Sequence, residues 1–184
     1  MFRRLIDDLR SRSPLHRDSS EVGALLIEGA REWPSGRRLV SRSDAYTRTC
    51  AYRDSLFEIV LLNWAPGAAS PIHDHGDQHC WMLVVDGELE VDDYVRLDPA
   101  DIPGYAHVEQ RGTRRLEAGG MDLRSGRFDL HRVAARNGGR AVSLHLYSGP
   151  LRQYLVYDEP ARRCQTAHGT FDEVLSPYSE PLRR

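Results

Sequence analysis

The sequence predicts a mainly β chain, an antiparallel barrel or sandwich behind a short helical N-terminal segment. Three observations predict it. From about residue 45 the apolar residues gather into short strand-like runs: LFEIVLLNW (56–64), HCWMLVV (79–85), ELEVDDY (88–94), AVSLHLY (141–147) and QYLVYD (153–158). Turn formers separate the runs: Pro66-Gly67, Asp86-Gly87, Gly119-Gly120, Asn137-Gly138-Gly139 and Gly149-Pro150. No helical periodicity lies between them, so the crossover helices that a parallel sheet needs are missing.

The helical segment covers about residues 1–40. Leu5 and Leu9, then Val22, Leu25, Leu26 and Ala30, recur at helical spacing, and Asp18 with Glu21 three residues later marks a helix start. The barrel is placed at 45–170 and a C-terminal arm, irregular from about 175, at 171–184, all within a single domain, as suits 184 residues. Apolar residues make up 40% of the chain, enough for a core. The 25 basic and 27 acidic residues nearly cancel, to a formal −2, so neither nucleic acid nor an anionic membrane is expected as a partner. Every basic residue is an arginine; without lysine, Schiff-base chemistry and a phosphate-loop lysine are excluded. No apolar run approaches the roughly 18 residues of a membrane span. The start, MFRRLIDDLR, carries charge where a signal peptide needs an apolar centre. Cys50, Cys80 and Cys164 have the spacing of neither a disulfide framework nor a zinc ribbon. A cytoplasmic monomer is expected.

The chemistry centres on PIHDHGDQHC (71–80). His73 and His75 lie two apart, and on a strand both would share a face and reach one point. Neutral imidazole suits iron, zinc, copper and nickel. A pair two apart also arises by chance as a solvated pair, so context decides. Five residues separate Gly67 from His73, four separate His75 from Cys80, and six separate Cys80 from Gly87. This resembles the first cupin motif at every spacing, with Cys80 where that motif has its acid ligand. A site without the carboxylate needs a third neutral ligand, and His131, in the strand-like DLHRV, is the candidate. Alone, His131 would read as a satisfied buried histidine. Three histidines would leave positions open for a bidentate substrate and dioxygen, a variant of the two-histidine, one-carboxylate site of non-haem iron oxygenases. In SLHLYSGP, Ser143, His145 and Tyr147 alternate with Val142, Leu144 and Leu146, a polar row on one face and an apolar row on the other.

Together, YTR (46–48), IHDH (72–75), Cys80, LHRV (130–133) and AVSLHLYS (141–148) resemble the cysteine dioxygenase family, in its order and at similar separations. The resemblance spans residues 46–148. It implies a cupin β-barrel, mononuclear Fe(2+), and oxidation of L-cysteine by O2 to cysteine sulfinate. By motif match it implies His73, His75 and His131 as iron ligands and Arg48 as the binder of the substrate carboxylate. Tyr147 matches the active-site tyrosine, with His145 and Ser143 in support. Cys80 matches the cysteine that joins that tyrosine in a thioether crosslink. One departure is Ser148-Gly149-Pro150, where the family often has Ser-Pro-Pro; one wall of the pocket differs there.

Tyr46, two before Arg48, is expected to line the pocket from the same strand face. Trp64 and Trp81 read as core, Cys50 and Cys164 as inert thiols, and His16, His107 and His168 as solvated. His79 is open between a place near the site and the surface. Arg114-Arg115 and Arg162-Arg163 read as solvated faces. Three rival readings remain: a sister enzyme acting on 3-mercaptopropionate, in which the family resemblance favours glutamine over Arg48; a different cupin enzyme such as a zinc or manganese isomerase, which leaves the Arg48 and Tyr147 contexts unexplained; and a non-catalytic metal-binding cupin.

Overall fold

The computed structural model describes residues 2–33, 39–136 and 138–175. Asn137, residues 34–38 of the expected helical segment and 176–184 of the expected arm lie outside the described residues. Helices α1 (Arg3–Ser11) and α2 (Ser19–Ala30) flank a 3₁₀ turn at Pro14–His16. Asp18 caps α2: its Oδ1 accepts the backbone N–H groups of Ser20 at 2.9 Å and Glu21 at 3.1 Å, two donors that the helix itself cannot satisfy. No helix among the described residues is long and apolar enough to cross a membrane.

Twelve strands follow among the described residues: β1 (Tyr46–Arg53), β2 (Glu58–Trp64), β3 (Ile72–His73), β4 (His79–Asp86), β5 (Glu88–Arg96), β6 (Val108–Glu117), β7 (Met121–Ser125), β8 (Leu130–Ala135), β9 (Ala141–Tyr147), β10 (Gln153–Asp158), β11 (Arg163–His168) and β12 (Glu173–Val174). They form two six-stranded sheets, β12-β1-β2-β9-β4-β7 and β11-β10-β3-β8-β5-β6. The mainly β, cupin-type architecture is the one expected.

Alternation along the strands divides the core. Ile59, Leu61, Trp81, Leu83, Leu144 and Leu146 face outward and bury against Phe2, Leu5, Ile6, Leu9, Val22 and Leu26 of the helical segment. Val60, Leu62, Trp64, Met82, Val84 and Tyr147 face inward against Leu89, Val91 and Val133 of the second sheet. The helices thus cover one face of the first sheet, which is why β2 and β4 read as nearly continuous apolar runs. Gly87 makes the β4–β5 turn at φ 75°, and a Cβ there would lie 2.2 Å from the Arg140 carbonyl oxygen, so only glycine fits.

One element differs from expectation. Strand β6, VEQRGTRRLE, is an edge strand with most side chains in solvent, so it shows no apolar alternation to detect. The C-terminal arm begins with a short strand: β12 runs parallel to β1, with Thr49 opposite Glu173 and Cys50 opposite Val174.

Candidate metal centre and active site

His73 ends β3, and its cross-strand partner on β8 is His131. Register alone therefore sets two of the three candidate ligands side by side. His75 lies beyond the end of β3, so a shared strand face does not join it to His73, contrary to the expectation from spacing. Asp74 does the joining instead. Its Oδ1 accepts the N–H groups of Gly76 at 2.9 Å and Leu155 at 3.0 Å, and its Oδ2 accepts the Tyr157 hydroxyl at 2.8 Å. This buried carboxylate pins the turn and carries His75 back over the site.

One ligand nitrogen from each of His73, His75 and His131 lies within 4.8 Å of the others. Burial disfavours the imidazolium form in all three. It takes His73 down to about 3, with the neighbouring His131 adding to the effect, and holds His75 well below its usual value. His131 is lowered by burial too, against the opposing pull of Asp122. All three are neutral at neutral pH, the form that ligates a metal. Nδ1 of His75 is buried without a hydrogen-bond partner. An orphaned nitrogen among three neutral imidazoles fits a metal ion, and among the described residues the cluster contains no carboxylate. Three protein donors leave coordination positions for substrate.

The other nitrogens of two ligands are fixed by the protein. Nδ1 of His73 lies 3.0 Å from the Pro71 carbonyl oxygen. Nδ1–H of His131 donates to Oδ2 of Asp122, on β7, at 2.9 Å, which leaves Nε2 of His131 for the metal. Burial alone would raise the Asp122 carboxyl; the hydrogen bonds from His131 and Arg124 more than reverse this and keep it ionised. Arg124 Nε reaches Asp122 at 2.7 Å, Arg114 Nη2 reaches it at 2.6 Å, and Arg124 also holds Asp93 and Asp129. Arg114 is exposed, as its sequence context suggested, and its guanidinium is also one clamp of this carboxylate. Asp122→Asn is expected to weaken metal binding ten- to a hundredfold, as loss of such a partner does, with the secondary structure unchanged. A chelator-competition titration measures this; equal affinity would reduce Asp122 to a structural ion pair.

A narrow cavity between the sheets is lined by Tyr46, Arg48, His73, His131, Tyr147 and Tyr154, with His145 among its walls. The Tyr46 ring packs tilted against Trp64, centroids 4.7 Å apart. Arg48 is held from behind: Nε donates to the Thr170 carbonyl at 3.0 Å, and Phe171 lies under the guanidinium at 5.9 Å. Nη2 of Arg48 is buried and has no hydrogen-bond partner.

Trp64 Nε1–H, from β2, donates to Ser143 Oγ on β9 at 2.9 Å, and Ser143 Oγ lies 2.8 Å from Nε2 of His145. Trp64 can only donate, so the Ser143 hydroxyl oxygen is its acceptor; the other ring nitrogen of His145 is Nδ1. That nitrogen faces Cys80 Sγ at 3.8 Å. Cys80 on β4 is the direct cross-strand partner of Tyr147 on β9. Burial raises both the Cys80 thiol and the Tyr147 phenol far above their usual values, so both stay protonated. His79 stacks on Trp81, outside the cavity. Cys50 is buried and its thiol is pushed up to about 11, chiefly by that burial.

Sequence reasoning therefore brings His73, His75, His131, Arg48, Tyr46, Tyr147, His145 and Cys80 to one place. It misses Asp74, Asp122 and Phe171. Asp74, inside the HxH, could have been found as the acid that such a turn needs.

A family model described as Cysteine dioxygenase type I matches residues 15–160. Cysteine dioxygenase type 1 of Danio rerio is 31% identical over 125 residues, which is 67% of this chain and 59% of the relative. That of Rattus norvegicus is 30% identical over 143 residues, 76% of this chain and 69% of the relative. The chain thus spans about three fifths of the length of the first of these relatives. In fold alone it is similar to a Klebsiella pneumoniae protein with a double-stranded β-helix domain, with a TM-score of 0.50 at 12% identity over 69% of this chain and 87% of the other. With a match that runs from the helical segment through β10 and takes in every residue of the three-histidine cluster, the chain belongs to the cysteine dioxygenase type I family.

Proposed function

We propose that this protein is a thiol dioxygenase that oxidises L-cysteine to cysteine sulfinate at a mononuclear iron(II) held by His73, His75 and His131. The overall change is a thiol plus O2 to a sulfinic acid, with both oxygen atoms on sulfur. The observation that carries the reading is the buried, unpartnered Nη2 of Arg48 in the same cavity as the three histidines. An amino-acid carboxylate supplies the charge-assisted bond that this nitrogen lacks, which sets the thiol toward the histidine cluster. Iron at that cluster would supply the one-electron chemistry by which triplet dioxygen reacts with sulfur.

The chain's own groups then bind and orient. Tyr46 and Trp64 wall one side of the cavity and keep water from the carboxylate end. Tyr147 stays a phenol, so it donates a hydrogen bond into the cavity rather than acting as a base. His145, neutral and fixed through Ser143, holds its Nδ1 toward Cys80.

Oxygen consumption by the iron-loaded protein with L-cysteine, 3-mercaptopropionate and cysteamine tests the reading. Cysteine is expected to be the best of the three. Preference for 3-mercaptopropionate would transfer the assignment to the sister activity, and uptake with none of them would leave a non-catalytic metal-binding cupin.

The cross-strand pairing of Cys80 with Tyr147 supports a thioether between them. One C–S bond forms, S–H and a ring C–H are lost, and dioxygen accepts the two electrons and two protons. Intact mass is expected to fall by about two daltons after turnover, from the two hydrogens lost, with residues 80 and 147 in one peptide. Recovery of both as unmodified peptides after many turnovers rules the crosslink out.

A further inference from the structure

Strand β1 carries a bulge whose consequence lies at the site. Cys50 pairs with Val60 but Tyr52 pairs with Ile59, so Ala51 is the extra residue. In an unbroken strand Arg53 would face away from Arg48, five residues earlier; the inserted residue turns it to the same inward face. There Arg53 is opposite Glu58, and Glu58 is also opposite Tyr147 across the other edge of β2. The Glu58 carboxylate is fully buried, 3.1 Å from Arg53 Nε, and neither oxygen has a well-aligned hydrogen bond. Phe171 lies against both guanidinium groups, 5.9 Å from Arg48 Cζ and 5.5 Å from Arg53 Cζ. Two cations and one carboxylate thus share an enclosed space behind the substrate cavity.

We propose that Glu58 is a specificity-setting residue: its carboxylate competes with the carboxylate of the substrate for the Arg48–Arg53 pair, so that affinity for carboxylate-bearing thiols depends on whether Glu58 holds a proton. This rests on the proposed thiol dioxygenase reading. The groups facing Glu58 are Arg53, Arg48 and Cys50 from β1 and Tyr147 from β9; the last two stay neutral near pH 7. Burial, opposed by Arg53 and Arg48, moves the Glu58 carboxyl up to about 7, so it titrates in the working range. Below pH 7 the two guanidinium groups, Arg48 lining the cavity and Arg53 behind it, are uncompensated; above it the Glu58 carboxylate offsets one of the two charges.

The test compares the iron-loaded protein with its Glu58→Gln variant between pH 6 and 8.5, on cysteine and on cysteamine, which has no carboxylate. In the parent, KM for cysteine is expected to rise by about three- to tenfold as pH passes 7, since a one-unit change in coupling is tenfold. In E58Q it stays at its low-pH value, and KM for cysteamine is the same in both proteins at each pH. Titration of the substrate's own amine and thiol is common to both and cancels in the ratio. If E58Q does not fold, the double variant Arg53→Gln with Glu58→Gln, which removes both buried charges together, is expected to give the same flat ratio. Superposed cysteine profiles for parent and variant overturn the inference while leaving the dioxygenase reading intact. Absence of oxidation of any carboxylate-bearing thiol overturns that reading instead.

Discussion

His131→Ala is expected to remove metal and turnover together. The substitution deletes one of three imidazole donors and leaves the Asp122 carboxylate without the acceptor role it now fills. Loss of an outer partner of a ligand typically costs ten- to a hundredfold in affinity, and loss of the ligand itself costs more, so a drop of over about a hundredfold is expected. Metal content after gel filtration, read beside the far-ultraviolet circular dichroism, separates loss of the site from loss of the fold. Full occupancy and turnover in this variant would remove His131 from the ligand set. The same result is expected at His73 and His75.

Arg48→Ala is expected to weaken cysteine far more than cysteamine. A charged hydrogen bond is worth roughly 1.5–3 kcal/mol, or about ten- to a hundredfold in kcat/KM. The fold is expected to tolerate the change, because the backbone of Arg48 keeps its own bonds: its N–H donates to Asp172 Oδ2 at 2.9 Å, and its carbonyl accepts from the Asp172 N–H at 2.9 Å. Equal loss toward cysteine and cysteamine would mean that Arg48 supports the cavity and does not recognise the carboxylate.

How far the sequence discloses this site follows from where each residue sits in the register. His73, His75 and Cys80 are legible because they fall within one short stretch with the glycine spacing of a known motif. The β9 row is legible because strict alternation survives in AVSLHLY, with Ser143, His145 and Tyr147 on the inner face. Asp18 is legible because a cap is a local event. Asp122 is not: MDLRS is an unremarkable run, and its carboxylate meets His131 only through the pairing of sheets. Arg53 and Glu58 are still less so, because a single bulged residue reverses the face that alternation assigns to Arg53. Phe171 reaches Arg48 only because β12 docks beside β1, and two residues are too short a strand to leave a periodic signal. The sequence therefore speaks most clearly where contact is local and least where a long-range pairing or an irregularity decides it.

The four inward histidines also bear on how the barrel withstands acid. His73, His75, His131 and His145 are all held below their usual value by burial, whereas in an unfolded chain each would take up a proton near pH 6.5. The unfolded chain then binds more protons than the folded one, so the stability these groups leave intact above pH 6.5 is lost as pH falls toward their folded values, about 3 for His73. Each such group contributes about 1.4 kcal/mol per pH unit within its window. A metal at the cluster competes with the same protons and so shares the sign. What makes the centre ready to ligate at neutral pH is thus expected to cost the barrel stability as the pH falls, from groups in its interior.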